Sequence, residues 1–420
     1  MNARREFAKV VVQKLRDCGF DALWAGGCVR DELLGQEPRD YDVATSATPV
    51  QIQEVFSQRK TLAIGSAFGV ITVLGGPRER QIDVATFRRD IGYSDGRHPD
   101  CVEFTSAEED ALRRDFTING LFFDPIKEEV IDYVGGRQDL EQRVIRAIQN
   151  PVDRFDEDKL RMLRAVRFAT TYDFEIEENT FRAMQAYAQE ITVVSAERVT
   201  AELRRILEHS NRLQGVDLLA ASGILQVLLP EMSLVSPACQ NTTCGQVPAE
   251  TRQMLKSLTS QNFAPALAIL LRIVRDTPGR GKRVVEQICR SWKLSNDEIK
   301  LITFLLKNEF MIRQAKDEPW PQVQRLLVDA HAAALFAFGN AVAMACDSSN
   351  EHLEFCQRKL ALPPHELNPP MLIAGKMLTA AGMLPGPAYK EILQRVRDAQ
   401  LNGEISTQAE ALSLARHFSE

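Results

Sequence analysis

Apolar positions at three-to-four spacing open the chain, where Phe7, Val10, Val11 and Leu15 predict one face of an amphipathic helix over about the first twenty residues. The pattern then shortens to strand-like runs. Ala22–Ala25 leads into Gly26-Gly27, Tyr41–Ala44 is flanked by aspartates, and the run at 69–74 joins the run at 81–87 through GGPRER, a hairpin signal. A further extended piece is expected at 131–136. From Pro151 onward helical spacing dominates, in segments such as DKLRMLRAVRFATTY, AERVTAELRRILE and YKEILQRVRDAQ. The order predicts an α+β chain, with a mixed-sheet head over residues 1–150 and helices thereafter. Breaks rich in turn formers fall at 237–248, 275–283 and 362–370.

A chain of 420 residues exceeds one compact core and suits two to four domains. No window of eighteen apolar residues exists and the N-terminus lacks a signal-peptide run, so a cytoplasmic protein is expected. Eight cysteines are irregularly placed, and the closest pair, Cys239 and Cys244, has no second pair at zinc spacing; buried free thiols are the plainer reading. The formal charge of −6 argues against a globally cationic nucleic-acid binder but leaves room for a local basic groove.

Candidate chemistry begins at residues 25–45. Asp40 and Asp42, two apart on an expected strand, would leave the same face and share oxygen ligation of Mg2+, the usual cation pair for nucleotidyl transfer. A DxD alone also fits a solvated turn. Gly26 and Gly27 end a strand before a helix-like segment, where backbone amides can approach a triphosphate, and Arg30 would face the same phosphates; an ion pair with Asp31 or Glu32 is the structural alternative. Asp83, on the strand after the hairpin, could bring a third carboxylate as ligand or base, or could simply be exposed. In LRRDFTING, Arg113 and Arg114 point apart if extended, so that one reaches phosphate or ribose and the other a salt bridge. Asp132, Gly135-Gly136 and Asp139 read as a strand, turn and capped helix start of structural purpose.

In FDEDKLRMLRAVRF, Asp158 and Arg161 are i and i+3 neighbours on an expected helix, with Arg164 and Arg167 each a further 60° around. The bland reading is a surface ion pair. The functional reading is base choice, because cytosine and adenine each present an amine donor beside a ring-nitrogen acceptor, whereas uracil and guanine present the reverse. An aspartate acceptor beside an arginine donor fits the first pattern, and a site built on hydrogen bonds rejects the second strongly.

GGxVRDxLLG, DxD, RRDFTIN, DxxxGxxDL and EDxxRxxRAxRF (Glu157 to Arg167), in that order, together resemble the bacterial class II tRNA nucleotidyltransferase and poly(A) polymerase family. ERVTAELRRIL at 197–207 is similar to the family's next motif, and residues 373–405 resemble its tail helices. The resemblance implies a polymerase-beta-like head at 1–150, a neck at 151–215, a body at 216–330 and a tail at 331–420, the helical parts cradling tRNA. It further implies magnesium on Asp40 and Asp42, triphosphate contacts at Gly27 and Arg30, Arg114, Arg164 and Arg167 at the nucleotide, and Asp158 with Arg161 on the base edge. ATP and CTP are then the substrates, with the tRNA 3′ end as acceptor.

Poly(A) polymerases of the group resemble a GRRF-bearing sequence after the DxD strand with a basic tail; here the stretch is IGSAFGVITV and the chain ends in ALSLARHFSE, which favours tRNA. A full segment at 87–99 makes A addition available. Addition of C, C and A is therefore the leading expectation, with A-only addition, poly(A) synthesis and a silent RNA-binding protein as alternatives. ALAILLRIVRD at 266–276 lacks an adjacent His-Asp pair, so no phosphatase activity is expected, and Lys376-Met377 after Gly375 departs from the family's acidic position. Between Arg275 and Lys293 six basic residues, including Arg280, Lys282 and Arg283, face two acids, a candidate RNA contact or a solvated rim, with Trp292 beside it either stacking or in the core.

Overall fold

The computed structural model describes residues 3–63, 65, 68–77, 81–92, 101–234, 247–275, 281–346, 350–383, 386 and 388–418. The chain divides into two compact units, one running to Ser233 and the other from Val247. In the first unit the chain order is α1 (Ala3–Asp17), β1 (Ala22–Ala25), α2 (Gly27–Leu33), β2 (Asp42–Thr45), α3 (Pro49–Phe56), β3 (Thr61–Leu62), β4 (Val70–Leu74) and β5 (Gln81–Thr86). A small antiparallel pair, β6 (Arg88–Ile91) and β7 (Cys101–Phe104), comes next, then α4 (Ala107–Leu112), β8 (Phe122–Asp124) and β9 (Glu129–Ile131).

Seven strands form one sheet in the order β3-β4-β5-β2-β1-β8-β9. Only β2 and β5 run parallel, and the crossover that parallel pairing demands is supplied by α3, β3 and β4. The hairpin expected around GGPRER is present as β4 and β5. Central β1 is buried along its whole length, which is why Ala22–Ala25 reads as an unbroken apolar run. Phe87, Phe122 and Ala111 pack against Leu23, Ala25 and Ala44 in one cluster. Helix α1 forms as expected and buries Ala8, Val11, Val12 and Leu15, but Val10 is 48% exposed, because the core stripe runs one position later than the apolar pattern suggested.

The chain continues through α5 (Gly136–Gln142), β10 (Val144–Ile145), α6 (Pro151–Glu157), α7 (Leu160–Tyr172), β11 (Glu175–Ile176), α8 (Glu178–Tyr187), α9 (Ala196–Glu208), α10 (Arg212–Ala221), α11 (Ile224–Leu228) and α12 (Glu231–Leu234). Asp132 stops the extended run after Ile131 by accepting from the amides of Val134, Gly135, Gly136 and Arg137, so the piece expected to 136 is a capped turn from Asp132 on. β10 pairs with β11, and α7 packs against α9 and α10.

The second unit is helical among its described residues: α13 (Ala249–Ser257), α14 (Phe263–Arg275), α15 (Gly281–Ser291), α16 (Asn296–Arg313), α17 (Trp320–Leu327), α18 (Ala332–Ala345), α19 (Glu351–Leu360), α20 (Pro364–Leu367), α21 (Gly375–Ala380), α22 (Ala388–Leu401) and α23 (Gln408–His417). Its inner helix α14 buries every residue from Phe263 to Leu271, and α16 starts on a capping box of Ser295 and Glu298. Ile373, Leu378, Ile392, Val396, Ala411 and Ala415 make a separate small core near the C-terminus. Among the described residues no single helix is long and apolar enough to cross a membrane.

Candidate active site

Asp42 opens β2 and lies in register with Asp83 on parallel β5, so both carboxylates leave the same face of the sheet. Thr72, across from Asp83 on β4, donates its hydroxyl to Asp83 Oδ1 at 2.6 Å and fixes that side chain. Asp42 is exposed at the mouth of the sheet, yet the protein around its carboxyl strips part of its hydration and, with the like charges of Asp83 and Asp40, pushes its pKa up to about 6, although Arg114 pulls the other way. Asp40 is not on the strand as the DxD spacing suggested. It precedes β2, is 86% exposed, and pairs with Arg4 Nη1 at 3.4 Å, because the strand starts only where pairing with β5 begins, at Asp42.

Asp42 and Asp83 offer hard, anionic oxygen that fits magnesium, since two adjacent carboxylates that repel one another are relieved by a divalent cation, whereas Asp40 is turned to Arg4. Among the described residues no three acidic, His or Cys side chains converge into a closed cage. That also suits magnesium, which usually takes one or two carboxylates and fills its remaining positions with water and substrate phosphates.

Gly26 turns the chain from β1 into α2 at φ 72°, a left-handed value that suits glycine, and its amide donates to Leu121 O at 2.9 Å. A Cβ there would stand 2.7 Å from Arg114 Nη1. Gly27 begins α2, and Arg30, one turn on, is buried. The Arg30 guanidinium pairs with Asp31 at 2.7 Å, donates to Asn119 Oδ1, and sits 4.6 Å from the Tyr172 ring and 5.3 Å from that of Phe168. Arg30 is thus paired to Asp31, as the structural alternative expected, and also lines the cleft described below.

Arg113 and Arg114 do not splay apart on an extended segment. Arg113 caps α4 in helical conformation and Arg114 follows in a bend, and buried Asp110 holds both, Oδ1 to Arg113 at 2.8 Å and Oδ2 to Arg114 at 2.9 Å. Burial would raise the Asp110 pKa, but Arg114 and Arg113 outweigh it and keep the carboxyl below its usual value. Asp115 follows. Burial likewise opposes its ionisation, yet Arg164 at 2.6 Å and the Asn119 amide at 2.9 Å bring it down to about 2. Arg30, Asn119, Asp115 and Arg164 thus form one continuous chain of hydrogen bonds.

The expected helical pair of Asp158 and Arg161 does not form. Asp158 sits at the break between α6 and α7 (φ −153°), where Oδ1 accepts from the Leu160 amide at 3.0 Å and Oδ2 from Arg198 Nη2 at 2.6 Å. Arg161 turns instead to Glu157 and to Arg154 O at 3.0 Å. One turn further, Arg164 takes Asp115, and Arg167 takes Glu202 on α9 at 2.5 Å. Each cation therefore has its own counter-ion.

Many of these groups meet in one cleft of about 480 Å³ within the first unit. Its wall includes Gly26, Gly27, Arg30, Asp42, Arg114, Asp158, Arg161, Arg164 and Arg167, which the sequence reading named, and Arg113, Asp115, Asn119, Phe168 and Arg198, which as site residues it did not. Seven arginines stand against three aspartates, a cationic cleft in a chain of net charge −6. Asp115 and Asn119 lie inside RRDFTING and Arg198 inside ERVTAELRRIL, so the signal was present in segments already recognised. Asp83 and Asp40 flank Asp42 but are not in the cleft's lining. In the second unit, Lys282 and Arg283 are exposed at the start of α15, whereas Arg280 lies outside the described residues. Arg275, counted in the same basic stretch, turns to buried Glu309 at 2.5 Å, and Trp292 is core.

Residues 22–146 match the family model described as the Poly A polymerase head domain, residues 173–235 that of the probable RNA and SrmB-binding site of polymerase A, and residues 279–415 that of tRNA nucleotidyltransferase domain 2. The chain is 34% identical to the CCA-adding enzyme of Limosilactobacillus reuteri, over 97% of this chain and 95% of that protein. The solved Bacillus stearothermophilus CCA-adding enzyme in complex with CTP is 27% identical, with a TM-score of 0.73 over 99% of this chain and 98% of the other. The Thermotoga maritima CCA-adding enzyme complexed with tRNA shares the fold at 20% identity, with a TM-score of 0.69 over 99% and 95% of the two chains. Head motifs, cleft and full-length likeness agree: the chain belongs to the CCA-adding tRNA nucleotidyltransferase family.

Proposed function

We propose that the chain adds C, C and A in turn to the tRNA 3′ end, drawing on CTP and ATP, without a nucleic-acid template. The observation that carries this reading is that one cleft joins the Gly26–Arg30 turn, Asp42, the Arg113–Arg114 pair and the Asp158–Arg161 pair. The triphosphate lies against the amides that follow Gly26 and against the Arg30 and Arg114 guanidiniums. Asp42 and Asp83, with Asp40 beside them, would hold magnesium. Bound there, the cation would supply neutralisation of the triphosphate and acidify the attacking ribose hydroxyl. The 3′ oxygen attacks the α-phosphorus, the bond from that phosphorus to the bridging oxygen breaks, and pyrophosphate leaves against the arginines.

Base choice falls to Asp158 and Arg161. Because each is fixed by a different partner, neither is consumed by the other, and a carboxylate oxygen bonded to Arg198 keeps a further lone pair for an exocyclic amine. The CTP named with the Bacillus stearothermophilus relative accords with this edge pattern. The helical neck, body and tail at 151–215, 216–330 and 331–420 serve to hold tRNA, with Lys282 and Arg283 among the phosphate contacts.

Purified protein with magnesium and labelled CTP and ATP would be given tRNA transcripts ending at the discriminator base, at C and at CC. All three should converge on a CCA end and stop, and Asp42→Ala should lower incorporation by about 10³-fold or more. Extension of the CC transcript alone would make it an A-adding enzyme, and a long A ladder on unrelated RNA a poly(A) polymerase.

A further inference from the structure

A second cleft in the first unit, about 530 Å³, lies outside the nucleotide site. Part of its wall is apolar, with Phe7 and Val10 from α1 and the buried Phe56 at the end of α3. Its rim is cationic, with Lys14, Arg59 and Lys60 all exposed and no acidic side chain among the described residues that line it. Among the described residues no ion pair occupies these three, and Lys14 lies over the Phe56 ring at 5.9 Å. The half-exposed Val10, out of step with the core stripe of α1, has its place here as a cleft wall.

Position narrows the occupant. Arg4 on α1 pairs with Asp40 beside the catalytic strand, and Phe7 stands three residues further along the same helix, a rise of about 5 Å. An occupant with a planar base and repeated negative charge fits the walls and the rim; CTP and ATP already have the first cleft, which leaves RNA among the substrates proposed above.

We infer that this cleft is an RNA-docking site that takes a nucleotide of the tRNA substrate away from its reacting end, the base against Phe7, Val10 and Phe56 and the flanking phosphates on Lys14, Arg59 and Lys60. The inference rests on tRNA being the substrate, as proposed above. The site adds affinity and register for the RNA and takes no part in binding the incoming nucleotide.

The full chain would be compared with Arg59→Ala/Lys60→Ala and, separately, Val10→Asp, in tRNA binding across a salt series, with melting curves to establish that each variant folds. The double variant should weaken tRNA binding by about 10-fold and flatten the log Kd against log salt slope by about 2, one for each lost phosphate contact. Val10→Asp, which sets a carboxylate in an exposed wall, should weaken binding with the cationic rim intact. CTP affinity measured without RNA should stay at the wild-type value in both. If the wild type binds tRNA and the variants match it in Kd and slope, the cleft assignment fails alone. If the wild type itself binds no tRNA, the substrate reading fails and takes the cleft with it.

Discussion

Asp115 ties the two halves of the nucleotide cleft together, accepting from Arg164 on α7 and from Asn119 next to β8. Its depressed pKa, about 2 against an unperturbed 3.8, means that the folded state holds the ionised form more tightly than the unfolded chain does. That contribution is complete above about pH 4 and is lost as pH falls through about 2. Asp115→Asn is therefore expected to lower stability at neutral pH by on the order of 2 kcal/mol and to flatten acid denaturation between pH 4 and 2. Urea melts at several pH values check both. Residue identity alone hid this role, because its partner is 49 positions away. The same holds for Asp158: an i,i+3 reading paired it with Arg161, whereas the helix break at Asp158 releases it to Arg198, 40 residues on. Local spacing predicts contacts only inside one continuous helix.

Among the elements, α2 and its entry turn show what periodicity does convey. The strand ending at Ala25, the Gly-Gly turn and the following helix were legible because a short apolar run and a glycine pair leave few alternatives. What the pattern did not convey is that Gly26 backs onto Arg114 from a segment nearly ninety residues later. Gly26→Ala combines a left-handed φ with a Cβ 2.7 Å from a guanidinium that Asp110 pins in place. The expected cost is about 1–2 kcal/mol of stability and about a 10-fold rise in KM for CTP, with base preference retained. Steady-state kinetics with all four nucleotides read this directly. Nor did the pattern convey α4, at whose end Arg113 and Arg114 close around Asp110 instead of lying extended, a contact that needs the helix to be known first.

For the whole molecule, composition set the scale correctly: a long chain of modest negative charge separates into two compact units, and its positive charge is gathered locally. The second unit has its own electrostatic keystone in Glu309, which is buried and engages Arg272, Arg275 and Arg313. Glu309→Gln should destabilise that unit by about 3 kcal/mol while CTP binding in the first unit persists, visible as an earlier melting transition with unchanged nucleotide affinity. Polar networks of this kind carry no periodic signature, which is why the sequence revealed helices there and not what locks them. The parallel register of Asp42 with Asp83 has a further consequence for how such a chain can vary. The two carboxylates meet through backbone pairing alone, and everything between β2 and β5 is a detour that closes on itself. Insertions or deletions should be tolerated only in the connections between α3, β3, β4 and β5, whereas losing one residue inside β2 or β5 turns a carboxylate to the opposite face and losing one inside β4 removes Thr72 from Asp83. Length change is thus cheap between the elements of that detour and ruinous within β2, β4 or β5, where it would displace Asp42, Thr72 or Asp83.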